Sequence, residues 1–147
     1  MSLVWLGCRL SYLREIRSNA IGAERCGGVT SADVERAKMT MGEIHELPAR
    51  HRQMIDRYVV DIQGMMNEIA RVLRPSRKAI LIVGNSCLRG VFISNSNLVK
   101  HAGAKAGLTV AESEERFLPE GSRYLPTNVS GALSRRMRTE NVITFVS

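Results

Sequence analysis

Apolar and polar positions recur along the chain with periods that change at identifiable places. Leu3, Leu6, Leu10, Leu13 and Arg17 fall three or four residues apart, with Val4, Trp5 and Ile16 beside them, and predict a helix over 2–17. Turn formers then break the period: Ser18-Asn19, Gly22, Gly27-Gly28 and Thr30-Ser31. Residues 18–46 read as a mobile loop with one or two helical turns. Ser31-Ala-Asp-Val-Glu35 in it can cap a short helix through the Ser31 hydroxyl. Pro48 suits a first helical turn, where a missing N–H is no loss. From there Ile55, Tyr58, Val59, Ile62, Met65, Met66, Ile69, Val72 and Leu73 keep a spacing of three to four. His51, Arg52, Asp56, Arg57, Asp61 and Glu68 fill the opposite face. This is the strongest amphipathic helix in the chain, and Pro75 ends it. Met54, Met65 and Met66 read as core fillers rather than a partner groove.

The pattern changes at Ala79–Val83, where five apolar residues follow one another. That run predicts a strand over 78–85, of the parallel kind covered on both faces. Gly84-Asn85-Ser86 then opens a small polar loop. Ser94 or Ser96 can cap the next helix, with Leu98, Val99, Ala102 and Ala106 as its inner stripe and Gly107 as a left-handed end. Leu108–Arg116 reads as a second strand with an exposed acidic run, Glu112–Glu115. Leu118–Arg138 is polar and irregular, and Val142–Val146 closes as a final strand. The first crossover is right-handed and makes the first two strands parallel; the last can return antiparallel beside them. The fold class is therefore α/β, in a single domain over 1–147. Residues 1–46 form a helix and mobile loop, and 47–147 a helix-strand-helix-strand-strand unit.

Ligands of open α/β sheets sit beyond the carboxyl ends of the strands. This order brings the loops 85–94 and 118–138 to that edge. One carries Asn85, Ser86, Arg89 and Gly90; the other carries Arg123, Tyr124, Arg135, Arg136 and Arg138. Arginine forks on such a face suit an anionic substrate. Equally, the arginines can solvate a loop and pair with Glu120 and Glu140.

Composition narrows the classes. With 147 residues, 44% of them apolar, the chain can build a real core but is small for an α/β enzyme. No apolar run approaches the roughly 20 residues that span a bilayer, and the amino-terminal segment lacks the basic start of a secretory leader. Net charge is +7 with pI about 9.9. Residues 75–147 hold 10 basic against 5 acidic residues, and 1–74 hold 11 against 9. The excess therefore lies mainly in the later half and favours a polyanionic partner, although many small soluble proteins are basic without one. Cys8, Cys26 and Cys87 are odd in number and widely spaced, which suits reduced thiols in the cytoplasm. His45, His51 and His101 add no metal-ligand spacing. Trp5 reads as a core residue, with base stacking as the alternative.

Taken together, "RVLRP", a strand, "VGNS…RG", a helix ending in "AGL", a strand, then "RMRTE" and "NVITF" resemble the carboxyl-terminal half of a class I S-adenosylmethionine-dependent methyltransferase. The likeness is to DNA methylases that modify exocyclic amines of bases. "VWLG…LREIRSNAIGAER" resembles the segment that follows their catalytic Ser/Asp/Asn-Pro-Pro-Tyr motif. Where the family usually has Gly-Gly after the proline, this chain has Ser76-Arg77, so that turn must form without glycine's access to positive φ. The resemblance implies a partial Rossmann-like methyltransferase fold lacking the N-terminal cofactor-binding half, since no G-x-G precedes a helix and no Pro-Pro occurs. On that reading Met1 is internal to a longer gene, or the protein is truncated or split. S-adenosylmethionine serves the complete family and is not expected to bind this chain alone.

By the same resemblance Asn85, Ser86, Arg89 and Gly90 line the substrate side and Arg136 and Arg138 belong to the last loop, with no catalytic residue present. The partners implied are nucleic acid, chiefly DNA, and a separate N-terminal methyltransferase half, with no membrane and no metal. A basic nucleic-acid-binding module and a non-catalytic protein-interaction subunit remain as alternatives.

Overall fold

The computed structural model describes residues 7–18, 20–21, 31–118 and 139–147. Helix α1 (Leu10–Ser18) begins later than its periodicity suggests: residues 7–9 are not helical, and none of its side chains is buried. Helix α2 (Ala32–Met39) is capped as the sequence predicts. The Ser31 hydroxyl accepts from the Val34 amide at 3.2 Å, and Asp33 and Glu35 sit in the first turn, where the helix dipole favours acids. A single 3₁₀ turn, Ile44–Glu46, leads into α3 (Ala49–Val72). Pro48 occupies the N-cap, and Ile55, Val59, Ile62 and Met66 form the buried stripe at spacings of four, three and four. Met66 is fully buried, and Met54 and Met65 pack partly buried against the same core.

Between α3 and the first strand the Arg77 amide bonds the Arg74 carbonyl at 3.1 Å, which closes a four-residue turn. Pro75 takes its second position and Ser76 its third, at φ +60. The chain thus makes with serine a turn for which glycine is the usual residue.

The remaining elements are β1 (Lys78–Val83), β2 (Ser86–Leu88), β3 (Val91–Ile93), α4 (Asn95–Lys105), β4 (Thr109–Phe117) and β5 (Thr139–Val146). The main sheet runs β1-β5-β4, with β5 antiparallel to both neighbours. β1 and β4 are therefore parallel and joined through α4, as expected, but β5 lies between them rather than at their side. The molecule is mixed helix and strand with a small antiparallel sheet, compatible with an α/β fold.

Registers Ala79↔Phe145, Leu81↔Ile143 and Val83↔Asn141 define the face that meets the helices. Phe145 and Ile143 are fully buried there with Leu98, Val99 and Ala102 of α4. Gly103 lets α4 approach: a Cβ at that position would meet Phe145 Cζ at 2.9 Å. Gly107, at φ +85, ends α4 in the left-handed conformation its position suggested.

Two expectations are corrected. The apolar run of β1 is not covered on both faces: Ile80 and Ile82 are 63% and 58% exposed. Among the described residues α4 packs on the face of the sheet that carries Phe145 and Ile143, and alternate residues of the unbroken apolar run of β1 are left outward. The segment 85–94 is not a plain loop. β2 and β3 pair antiparallel as a hairpin, in register Ser86↔Ile93, Cys87↔Phe92 and Leu88↔Val91, turning at Arg89-Gly90. Residues 1–6, 19, 22–30 and 119–138 lie outside the described residues. With them go the predicted start of the first helix, Trp5, Cys26 and the loop that carries Arg123 through Arg138.

Candidate nucleic-acid interface

The residues singled out on the first loop are divided by the hairpin. Asn85 and Ser86 stand at its base, Arg89 and Gly90 at its tip, about 10 Å apart at the rise of an extended strand. At the base the side chains are engaged within the fold. Asn85 Oδ1 accepts from the Ser96 amide at 3.0 Å and so caps α4 from outside the helix. Asn95 Nδ2 donates to the Gly84 carbonyl at 2.9 Å and to Ser86 Oγ at 3.3 Å. The helix start is therefore closed by Asn85 rather than by the Ser94 hydroxyl, which makes no capping bond. Ser94 and Ser96 are buried, their hydroxyls 3.4 Å apart.

One strand position beside this base carries a donor that sequence reading did not single out. Asn141 on β5 lies opposite Val83, the residue before Gly84-Asn85. It is 8% exposed, and its Nδ2 finds no acceptor among the described residues.

The tip has another character. Arg89 and Gly90 take φ +49 and +88, both left-handed, as a tight hairpin turn of the strand-compatible type requires. Asn-Gly is the sequence that adopts this turn readily; Arg-Gly holds a long cationic side chain in a backbone conformation that L-residues disfavour. The hairpin is anchored beneath by Val91 and Ile93, both buried, and by the Ser94 amide on the Met41 carbonyl at 2.8 Å. Gly42, at φ +111, lets that strand lie close: a Cβ would meet the Phe92 carbonyl oxygen at 3.0 Å.

The result sets Arg89 over the first turns of α3, where its Nε donates to His51 Nε2 at 3.4 Å. His51 Nδ1 is buried and has no hydrogen-bond partner among the described residues. Arg50 and Arg52 flank His51, and no acid occupies the first turn of α3. Arg52 is committed to the fold, donating to the carbonyls of His45 and Leu47 at 3.2 and 2.9 Å. Nearby acids are accounted for in part: Glu43 pairs with His45 at 3.3 Å, and Asp56 with Lys38 at 2.6 Å. Phe92, on the outer face of β3, is 60% exposed. His51 thus joins Arg89, and no sequence signal linked them, because a helix turn and a hairpin 38 residues apart meet only in three dimensions.

Arg136 and Arg138, the other residues expected at this edge, lie outside the described residues. Glu140, a candidate partner for that loop, pairs among the described residues with Arg116 at 2.6 Å. Among the described residues no cluster of three or more His, Cys, Asp or Glu could hold a metal ion, no helix is long and apolar enough to cross a membrane, and Cys8 and Cys87 are free thiols. At the carboxyl end of β1 the polar side chains of Asn85, Ser86 and Asn95 bond one another and the backbone.

No protein-family model and no curated protein matches the chain. Comparison with solved structures gives a Thermus thermophilus protein described as a candidate DNA modification methylase, with 12% identity and a TM-score of 0.47. The match covers 61% of this chain and 36% of that one. A likeness at this level carries no argument about the site, whose reading rests on the chain's own geometry.

Proposed function

We propose that the chain is the substrate-side part of an S-adenosylmethionine-dependent nucleic-acid methyltransferase, with DNA as the favoured substrate and the cofactor half supplied by residues outside these 147. The observation that carries this reading is the unfinished sheet. Among the described residues β1 pairs on one edge only, and it presents Ile80 and Ile82 to solvent. β4 has a free edge as well, but Glu112, Glu114 and Glu115 protect it, a usual device for keeping an edge unpaired. β1 has no such protection beyond Lys78. A strand of this kind fits the interior of a larger sheet, which is what the resemblance of "RVLRP…VGNS" implies.

The chain's own residues then hold the β1 loop rigid through Asn85, Asn95 and Ser96 and present Arg89 beside it. No chemical step is assigned to them. A non-catalytic nucleic-acid-binding module is the second reading, and the Arg89–His51 tip favours it equally.

Calorimetry separates these readings from a self-sufficient enzyme. The chain alone should show no heat of binding with S-adenosylmethionine; micromolar binding would sink the claim that the cofactor half lies elsewhere. Transfer of tritiated methyl groups to DNA should be absent for the chain alone. It should appear when the product of an adjoining upstream reading frame is added, and transfer that never appears favours the binding module.

A further inference from the structure

We infer that the β2–β3 hairpin is a nucleic-acid docking element in which Arg89, backed by His51, takes a backbone phosphate and Phe92 takes the face of an unpaired base. The inference rests on the reading above, in which the partner is a nucleic acid and the resemblance sets Arg89 on the substrate side; it adds His51 and Phe92, which neither motif nor resemblance marks out.

Three independent features converge on the hairpin. The first is the placement of charge. Arg50, His51 and Arg52 stand at the N-terminal end of α3, the positive end of the helix dipole, with no acid in the first turn. Cations at that end are disfavoured, whereas an anion is favoured there. Arg89 is then added from a second element, so that its guanidinium faces an imidazole rather than a carboxylate. At 3.4 Å that bond is longer than the usual 2.7–3.2 Å range and lies exposed. Moving Arg89 from His51 Nε2 to a phosphate oxygen exchanges a weak neutral acceptor for a charge-assisted one.

The second feature is the turn. Arg89 holds its left-handed backbone although asparagine would make the same turn at lower cost. The side chain is carried at the tip of a hairpin whose other strand is locked into the core by Val91 and Ile93. The backbone of the turn is thus held in place, and the Arg89 side chain it carries is exposed.

The third feature is Phe92. Alternation along β3 buries Val91 and Ile93 and turns Phe92 outward, three residues from Arg89 and opposite Cys87. An exposed aromatic on the same short hairpin as an exposed cation supplies the two elements of a platform for single-stranded nucleic acid: phosphate held electrostatically, base held by stacking. A simple polyanion would use the arginine and ignore the ring.

The test is fluorescence anisotropy of labelled oligonucleotides between 50 and 200 mM salt, on the full chain. Arg89→Asn deletes the cation while supplying the Asn-Gly turn, so the hairpin is strengthened, not lost. Removing one phosphate contact should lower the salt slope by about 0.7 on a single strand, where an intact contact is worth about fivefold at 0.1 M salt. Arg89→Lys should restore most of the slope. Phe92→Ala should weaken single-stranded binding about tenfold and leave the slope unchanged. It should leave heparin binding unaltered.

Single-stranded DNA and single-stranded RNA are run side by side; preference for either supports the docking element and names its sugar. Unaltered affinity and slope in Arg89→Asn, with wild-type binding intact, overturns the hairpin assignment alone. Equal losses by Phe92→Ala on heparin and oligonucleotide overturn the stacking role. Wild-type protein that binds no oligonucleotide even at 50 mM salt overturns both this inference and the nucleic-acid reading behind it.

Discussion

Ser76→Gly should stabilise the protein, and the size of the gain can be worked from one torsion angle. Ser76 sits third in the turn Arg74–Arg77 with φ +60. Holding an L-residue left-handed costs about 1–2 kcal/mol, from the approach of Cβ to the backbone oxygen. Glycine removes that cost but brings a more mobile unfolded chain, which takes back about 0.4–1 kcal/mol. Ser76 is exposed, so the substitution gives up no packing. The balance is a gain of about 0.5–1 kcal/mol, or roughly 2–4 °C in Tm for a chain of this size.

Thermal unfolding followed by circular dichroism reads the shift, and urea titration should show a higher midpoint with the slope unchanged. Ser76→Val supplies the opposite arm, because a β-branched residue at positive φ is more strained still, and it should melt below wild type. If Ser76→Gly melts at or below wild type while Ser76→Val is neutral, the turn does not hold a strained serine. The account of how this chain dispenses with the expected glycines would then be wrong.

Gly103→Ala should cost about 1–3 kcal/mol, because the new methyl group drives into the fully buried ring of Phe145 on β5. The paired change Gly103→Ala with Phe145→Leu should recover part of the loss in the same melt. Lys38 joins α2 to α3 through Asp56 at 2.6 Å and pairs within α2 with Glu35 at 2.7 Å, with the Lys38 and Asp56 side chains only 13% and 9% exposed. Lys38→Met should cost about 3–5 kcal/mol by stranding Asp56, whereas Lys38→Met with Asp56→Leu should return stability to near wild type in chemical denaturation.

Burial pulls the Lys38 ammonium down, but its bonds to Asp56 and Glu35 outweigh that and hold it above its ordinary range. A raised folded pKa means that the stabilisation is complete below the unfolded value near 10.5 and is lost as pH rises through the folded one. Burial raises Tyr58 too, which acts in the same direction. Denaturation at pH 9, 10 and 11 should therefore show stability falling only above about pH 10, with a smaller fall in the doubly substituted protein, where the Tyr58 contribution alone remains.

The elements that could be read from the sequence are those written in local chemistry. The α3 stripe from Ile55 to Met66, the Ser31 cap, the stop at Pro75 and the left-handed end at Gly107 each depend on residues within one or two turns of one another. The hairpin escapes such reading because Ser86–Leu88 and Val91–Ile93 are three residues each, too short for alternation to register, and Arg-Gly is not a turn signature. The engagement of Asn85 and Ser86 is hidden for another reason. Their partners, Ser96 and Asn95, lie nine to eleven residues away across a hairpin that no local pattern announces.

The sequence by itself determined that this is a mixed helix and strand chain with a dominant amphipathic helix, an apolar strand at Ala79–Val83 and a basic later half. Periodicity and composition are properties of neighbours along the chain. Tertiary structure alone decided that β5 enters between β1 and β4, that β1 turns Ile80 and Ile82 outward, that Arg89 comes to rest on His51, and that Phe92 is exposed on the outer face of β3. Strand order, the covered side of a sheet and the meeting of a hairpin with a helix are set by packing between segments distant in sequence, and no window along the chain contains both partners.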